Sequence, residues 1–280
     1  MLLNLKDILE YAKSNQSAIG SFNVYNVESI QAVVQAALAA KQPVIISFGE
    51  AYTSHAPIEV IAEIVKIYCI KSDMPFCLHL DHSKELATIM KAIRAGFTSI
   101  MYDGSALPLN ENIERSRKVV ELAHLVGVSV EGELGYMNNE DGTSPDGLCL
   151  AEGYTTVAAA KEYTEQSGVD ALAIAIGNAH GIYKGIPTLD FQRLEEIKRN
   201  IKVPIVLHGS SGIPADSLRK AIALGVRKIN INTEVSTKGI QTARSFLADH
   251  LDKNTRFETL AKAAEGAMSQ TVADYINLFK

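Results

Sequence analysis

Cysteine is scarce in this chain, with three in 280 residues. Cys69, Cys77 and Cys149 are an odd number at unrelated spacings with no CxxC, so neither a disulfide framework nor a thiolate metal cage is indicated. A reducing, cytoplasmic setting is the expectation. No stretch approaches the roughly 18 or more apolar residues of a membrane-spanning helix. The opening "MLLNLKDILEYAKSN" carries acidic residues inside a helical apolar pattern, unlike a signal peptide with its basic start and uninterrupted apolar run. No block of consecutive basic residues occurs, and the formal net charge is -5. Nucleic-acid backbones and anionic membranes are therefore excluded as main partners, and any anionic ligand must be met locally. No Pro/Ser-rich linker or low-complexity segment divides the chain. At 47% hydrophobic and 21% charged residues it can bury a large core, as one α/β barrel or two smaller domains.

What is present is regular. Short β-branched or apolar runs alternate with longer amphipathic segments, the pattern of parallel strands covered by helices. Strands are expected at "AIGSFNV" from Ala18, "PVIISFG" from Pro43, "PFCLHLD" from Pro75, "TSIMYD" from Thr98, "VSVEGELG" from Val128, "DALAIAIG" from Asp170, "PIVLHG" from Pro204 and "KINI" from Lys228. Between them lie helical patterns such as "SKELATIMKAIRAG", several closing on a glycine suited to a helix C-terminus. Residues 1–280 are read as one α/β domain, a single (β/α)8 TIM barrel, with a doubly wound open sheet as the alternative.

Barrel enzymes place their chemistry at the C-terminal strand ends. Strand three ends in Asp81 and His82, strand four in Asp103, and strand five in Glu131 and Glu133. Strand six is followed by His180, strand seven ends in His208, and strand eight in Asn230 and Asn232. A lone histidine near a strand end is more often a hydrogen-bonded structural residue than a ligand. Three on one rim reverse that expectation, because neutral imidazoles with one open position make a catalytic zinc site. Strand alternation sets Asp81 pointing away from His82 and makes His79 a supporting or packing residue. His55, His124 and His250 fall in loop or helix contexts. Asp103 and Glu133 are either interior hydrogen-bond partners or supporting or alternate metal ligands. Turns in "GNAHGIYKG", "HGSSGIP" and "NINTEV" let backbone amides approach an anion, with Ser211 and Thr233 adding hydroxyls at helix starts. Beside a metal rim they point to a phosphorylated substrate.

At these residues the chain resembles the class II, zinc-dependent ketose-phosphate aldolases, the fructose- and tagatose-bisphosphate aldolase family. The resemblance runs through "HLDHS", "GFTSIMYDGS", "VEGELG", "GVDALAIAIGNAHGIYKGIPTLDF", "VPIVLHGSSGIP" and "KININTEV", nearly the whole length. It implies Zn2+ on His82, His180 and His208, with Asp81 transferring protons. It also implies a dihydroxyacetone phosphate site using Gly181, Gly209, Ser211, Asn230, Asn232 and Thr233, with Lys184 nearby and a monovalent cation (Na+ or K+). The family places a second base on the loop after strand five, where Glu140 in "ELGYMNNEDG" is the nearest match. A homodimer or homotetramer is implied as well.

Two departures bear on the substrate. Bisphosphate-cleaving relatives commonly end strand two with glutamine and serine, where this chain has Ser47, Gly49 and Glu50, Ser47 being the residue assigned to the substrate. Relatives carry an arginine near the C-terminus for the distal phosphate, and here Glu265 stands in that vicinity with Arg256 upstream. A ketose 1-phosphate is thus the expected substrate, with fructose or tagatose 1,6-bisphosphate the alternative. A metal-dependent hydrolase leaves the glycine turns unexplained, and a non-catalytic companion subunit would lack part of a histidine set that is complete here.

Overall fold

The computed structural model describes residues 1–70, 72–135, 153–181, 183, 185–251 and 254–280. Strands β1 (Ile19–Asn23), β2 (Val44–Gly49), β3 (Phe76–Ser83), β4 (Ser99–Tyr102), β5 (Ser129–Leu134), β6 (Ala171–Ile174), β7 (Ile205–Leu207) and β8 (Val226–Ile231) match the eight expected runs, with β3 continuing two residues past Asp81 and β8 starting two residues before Lys228. They pair in parallel in chain order, and β8 returns to β1, so the sheet closes into a barrel rather than lying open as a doubly wound sheet. Helices α2 (Val27–Ala40), α3 (Ile58–Ile70), α4 (Leu86–Ala95), α5 (Leu109–His124), α6 (Val157–Ser167), α7 (Phe191–Asn200), α8 (Ala215–Ala223) and α9 (Thr233–Asp249) each follow a strand; α10 (Phe257–Leu278) packs on α2 and α9.

Period-two alternation sorts the strand residues. In β2 and β3, Val44, Ile46, Phe48, Leu78 and Leu80 face the helices in one large apolar layer, while Ile45 and Cys77 face inward. Helix α1 (Leu5–Ser14) lies across the barrel floor. Its Leu5, Ile8, Leu9 and Ala12 are fully buried against Ile19, Ile45, Cys77, Ala171, Ala173 and Val206. Each large apolar side chain so buried contributes roughly 1.5–3 kcal/mol. Above this apolar floor the interior turns polar: Ser21, Ser47, His79, Ser99, Glu131 and Lys228 are all fully buried. Loops that carry the site are fixed by caps: Asn26 and Ser29 form a capping box at the start of α2, and Asp190 accepts from the Arg193 amide at the start of α7.

Candidate active site

The end of β3 departs from simple alternation. Its register with β4 shifts between Leu80 and Ser83, and His82 adopts φ +47°, left-handed backbone that a side-chain-bearing residue enters at a cost of order 1–3 kcal/mol. The consequence corrects the expectation that Asp81 and His82 point apart: both line one mouth cavity of about 570 Å³. The irregular step re-aims His82 to the side that Asp81 already faces.

His180 and His208 complete the rim. Ring centroids lie 4.8 Å apart for His82 with either partner and 5.9 Å for His180 with His208. Nitrogens of these rings and a carboxylate oxygen of Glu133 all lie within 4.8 Å of one another. Carboxylates fix two of the tautomers. His82 Nδ1 donates to Asp103 Oδ2 at 3.1 Å, and His208 Nε2 donates to Glu131 Oε1 at 2.8 Å. The remaining lone pairs, His82 Nε2 and His208 Nδ1, face each other at 3.0 Å, an arrangement that needs a proton or a cation between them. Among the described residues Glu133 Oε2 is buried without a hydrogen-bond partner, and it lies 3.3 Å from His208 Nδ1. Burial and the Asp103 charge raise the Glu133 carboxyl. Burial disfavours the His82 imidazolium, yet Asp81, Asp103 and Glu133 raise that ring to about 10; burial and the two neighbouring rings lower His180 to about 3. These donors, nitrogen-rich with one carboxylate, fit a zinc-type ion.

Asp81 stands beside this focus. Its oxygens accept from Asn23 Nδ2 at 2.9 Å and Asn230 Nδ2 at 3.2 Å. Burial would raise the carboxyl, but His82, His208 and Lys228 outweigh it and hold the group well below the usual carboxylate range. Asp81 is therefore ionised at neutral pH.

Gly181, Gly209, Ser211, Asn230, Asn232 and Thr233 line the same cavity. Thr233 opens α9, whose first-turn amides and positive dipole end suit an anion. Gly209 has φ +57°, and a Cβ there would fall 2.2 Å from the Ala179 carbonyl oxygen, so glycine is required where β7's exit crosses the His180 loop. The Asn178 amide joins the same two segments by donating to Ile174 O and His208 O.

Other expected positions stand elsewhere. Ser47 does not reach the cavity: it lies one inward step below Gly49, fully buried, with its hydroxyl 3.2 Å from that of Ser21. The far wall is instead Gly49, Glu50, Ala51, Tyr52 and Lys84. Glu265 is not on that wall, because α10 packs it against α2, where it accepts from Gln35 Nε2 at 2.8 Å. Arg256 is exposed, 3.8 Å from Glu258, and also outside the cavity lining. Glu140 and Lys184 lie outside the described residues. His79 is an interior residue bonded to Ser99 Oγ at 2.8 Å; His55 is exposed, His124 pairs with Asp170, and His250 stacks on Phe246. Sequence reasoning passed over Asn23, Tyr52 and Lys228. Asn23 had a signal, being polar at the end of β1; so had Lys228, a cation inside an apolar strand.

Asp81, the three histidines and the glycine turns meet at one barrel mouth, the end of the barrel at which enzymes of this architecture carry their chemistry. The chain belongs to the class II fructose-bisphosphate aldolase family, whose model, Fructose-bisphosphate aldolase class-II, matches residues 3–280. It is 39% identical over 276 residues to a probable fructose-bisphosphate aldolase of Bacillus subtilis (strain 168), covering 97% of this chain and 95% of that one. Among solved structures it resembles the YdjI aldolase of Escherichia coli K12 (TM-score 0.87, 34% identity, 100% of this chain and 97% of that one). A putative fructose-1,6-bisphosphate aldolase of Coccidioides immitis is also similar (TM-score 0.89, 28% identity, 99% and 96%). The protein is thus a class II aldolase, a lyase. Among the described residues no helix is long and apolar enough to cross a membrane.

Proposed function

We propose that this aldolase is zinc-dependent and reversibly cleaves a ketose 1-phosphate to dihydroxyacetone phosphate and an aldehyde that carries no phosphate. The observation that carries the reading is the pair of carboxylate-fixed imidazoles, His82 and His208, presenting lone pairs to one point beside His180 and Asp81. Zn2+ held by His82, His180 and His208 would supply the electrophile that polarises the ketose carbonyl oxygen. Asp81, ionised and fixed by two asparagine amides, accepts the carbon 4 hydroxyl proton as the bond between carbons 3 and 4 breaks. The bonding pair passes to the three-carbon phosphate fragment, and a proton delivered to carbon 3 completes dihydroxyacetone phosphate. Glu140 is the residue proposed for that delivery. The α9 N-terminus with Gly181, Gly209, Ser211 and Thr233 takes the phosphate, with Lys184 and a Na+ or K+ ion in supporting roles. A cytoplasmic homodimer or homotetramer belongs to the same reading.

On the far wall Glu50 brings a carboxylate, and among the described lining residues there is no arginine. A second phosphate would meet repulsion there. The bisphosphate reading has its own support in Lys84 on that wall and in the name of the Bacillus subtilis relative. Zinc content and dihydroxyacetone phosphate release are measured together in the parent and in His180→Ala. We expect the variant to lose both; full cleavage by zinc-free His180→Ala would overturn the zinc assignment.

A further inference from the structure

Below the mouth lies a buried ion pair that the chemistry above does not use. Lys228 Nζ sits 3.0 Å from Glu131 Oε1 and 2.9 Å from Oε2, with both side chains fully buried among barrel-interior residues. Glu131 Oε1 is also the acceptor of His208 Nε2 at 2.8 Å. Barrel interiors are ordinarily filled by branched apolar side chains. A buried ion pair is a poor means to stability, since apolar residues of similar volume are often as stable or more so. The pair's position one layer beneath a rim histidine calls for a role other than packing.

We propose that Lys228 and Glu131 are positioning residues: the ammonium donates to Glu131 Oε1 and stands at ion-pair distance from Oε2, so that Oε1 holds the His208 Nε2 proton and keeps the Nδ1 lone pair aimed at the metal point. An ionised carboxylate only accepts, so the ring it touches has one stable tautomer. Outer partners of this kind typically change metal affinity by about 10–100-fold when removed. His79 belongs to the same layer. Its Nε2 is 3.8 Å from Glu131 Oε2 and its Nδ1 is bonded to Ser99, so it fills space beside the clamp without competing for His208.

This inference rests on the proposed zinc set, and its test separates the two. Ring 15N shifts of His208 in the zinc-free parent should be those of a protonated Nε2 and an unprotonated Nδ1; the reverse pattern overturns the proposal without any variant. The Lys228→Met/Glu131→Leu double variant removes both charges at similar volume. It should keep a folded barrel, populate both His208 tautomers, and bind zinc about 10–100-fold more weakly in chelator competition. Parent-like zinc affinity in the folded double variant overturns the positioning role. His208→Ala is the control for the ligand set: parent-like zinc binding in that variant would remove the foundation, whereas loss of zinc there with retention in the double variant would sink the clamp alone. If the double variant does not fold, the parent ring spectrum decides.

Discussion

At the scale of single residues, Asp81 shows how a carboxylate is kept both charged and useful inside a protein. An isolated buried carboxylate would take up a proton, but two asparagine amides and nearby cationic groups stabilise the ionised form. Asp81→Asn should test its proton-transfer role with little structural cost. The new amide would face one of two amide donors, yet Asn230 Oδ1 has no partner among the described residues, so that amide can rotate and accept. We expect zinc content and melting temperature near those of the parent and cleavage reduced by about 10²–10⁴-fold; unchanged turnover rejects the role. Asp81, His82, His180 and His208 were legible in the sequence because ionisable residues at the ends of apolar runs are costly to bury without a partner or a chemical role. Lys228 was not, because its meaning depends on Glu131, which lies 97 residues earlier and comes near only when the barrel closes.

At the scale of elements, strands were legible where β-branched runs are bounded by proline or glycine, as in "PVIISFG" and "PIVLHG". The irregularity of β3 was not. Alternation is a rule for unbroken ladders, and nothing in "HLDHS" alone announces the left-handed His82 or the register shift that lets Asp81 and His82 share one mouth. Ser47 misled for the related reason that depth along a strand is set by barrel stagger, which places Gly49 at the mouth and Ser47 beneath it. The crossing of the β6 and β7 exits yields a sharper test. A methyl group at position 209 would sit 2.2 Å from the Ala179 carbonyl oxygen and one residue from His180, and the backbone there is left-handed. Gly209→Ala should therefore leave the barrel folded, by circular dichroism, while shifting the His180 loop. Displacements near 1 Å at a reacting centre can cost about 10²-fold, and we expect a fall in kcat/KM of that order. Parent-like kcat/KM would show that the loop absorbs the methyl without moving His180.

At the scale of the whole molecule, the two sides of the mouth differ in charge. One side gathers glycine turns, hydroxyls and the positive end of α9, fed by three successive β-to-α exits, and on the proposed reading it takes the substrate's one phosphate. The exits of β2 and β3 present Glu50, Tyr52 and Lys84, with the Tyr52 hydroxyl accepting from Asn232 Nδ2 at 2.9 Å. The Glu50 carboxylate is held in place by accepting from the Lys84 amide at 2.7 Å. A distal phosphate carries about -1.5 to -2 charge at neutral pH and would have to settle against that fixed carboxylate. The Glu265 position, given weight in the sequence for the same purpose, carries none now that it lies on the α2 and α10 interface; on the proposed reading the charge that would discriminate is that of Glu50. We expect kcat/KM to favour a ketose 1-phosphate with an uncharged aldehyde half over fructose or tagatose 1,6-bisphosphate by about tenfold or more, each tenfold being about 1.4 kcal/mol of transition-state discrimination. Glu50→Gln should narrow that ratio chiefly through better use of the bisphosphate, since it removes the repulsion and keeps the shape. A parent enzyme that prefers either bisphosphate would refute the charge argument and leave the aldolase assignment untouched, whereas a preference unmoved by Glu50→Gln would shift the discrimination to Tyr52 and the shape of the wall.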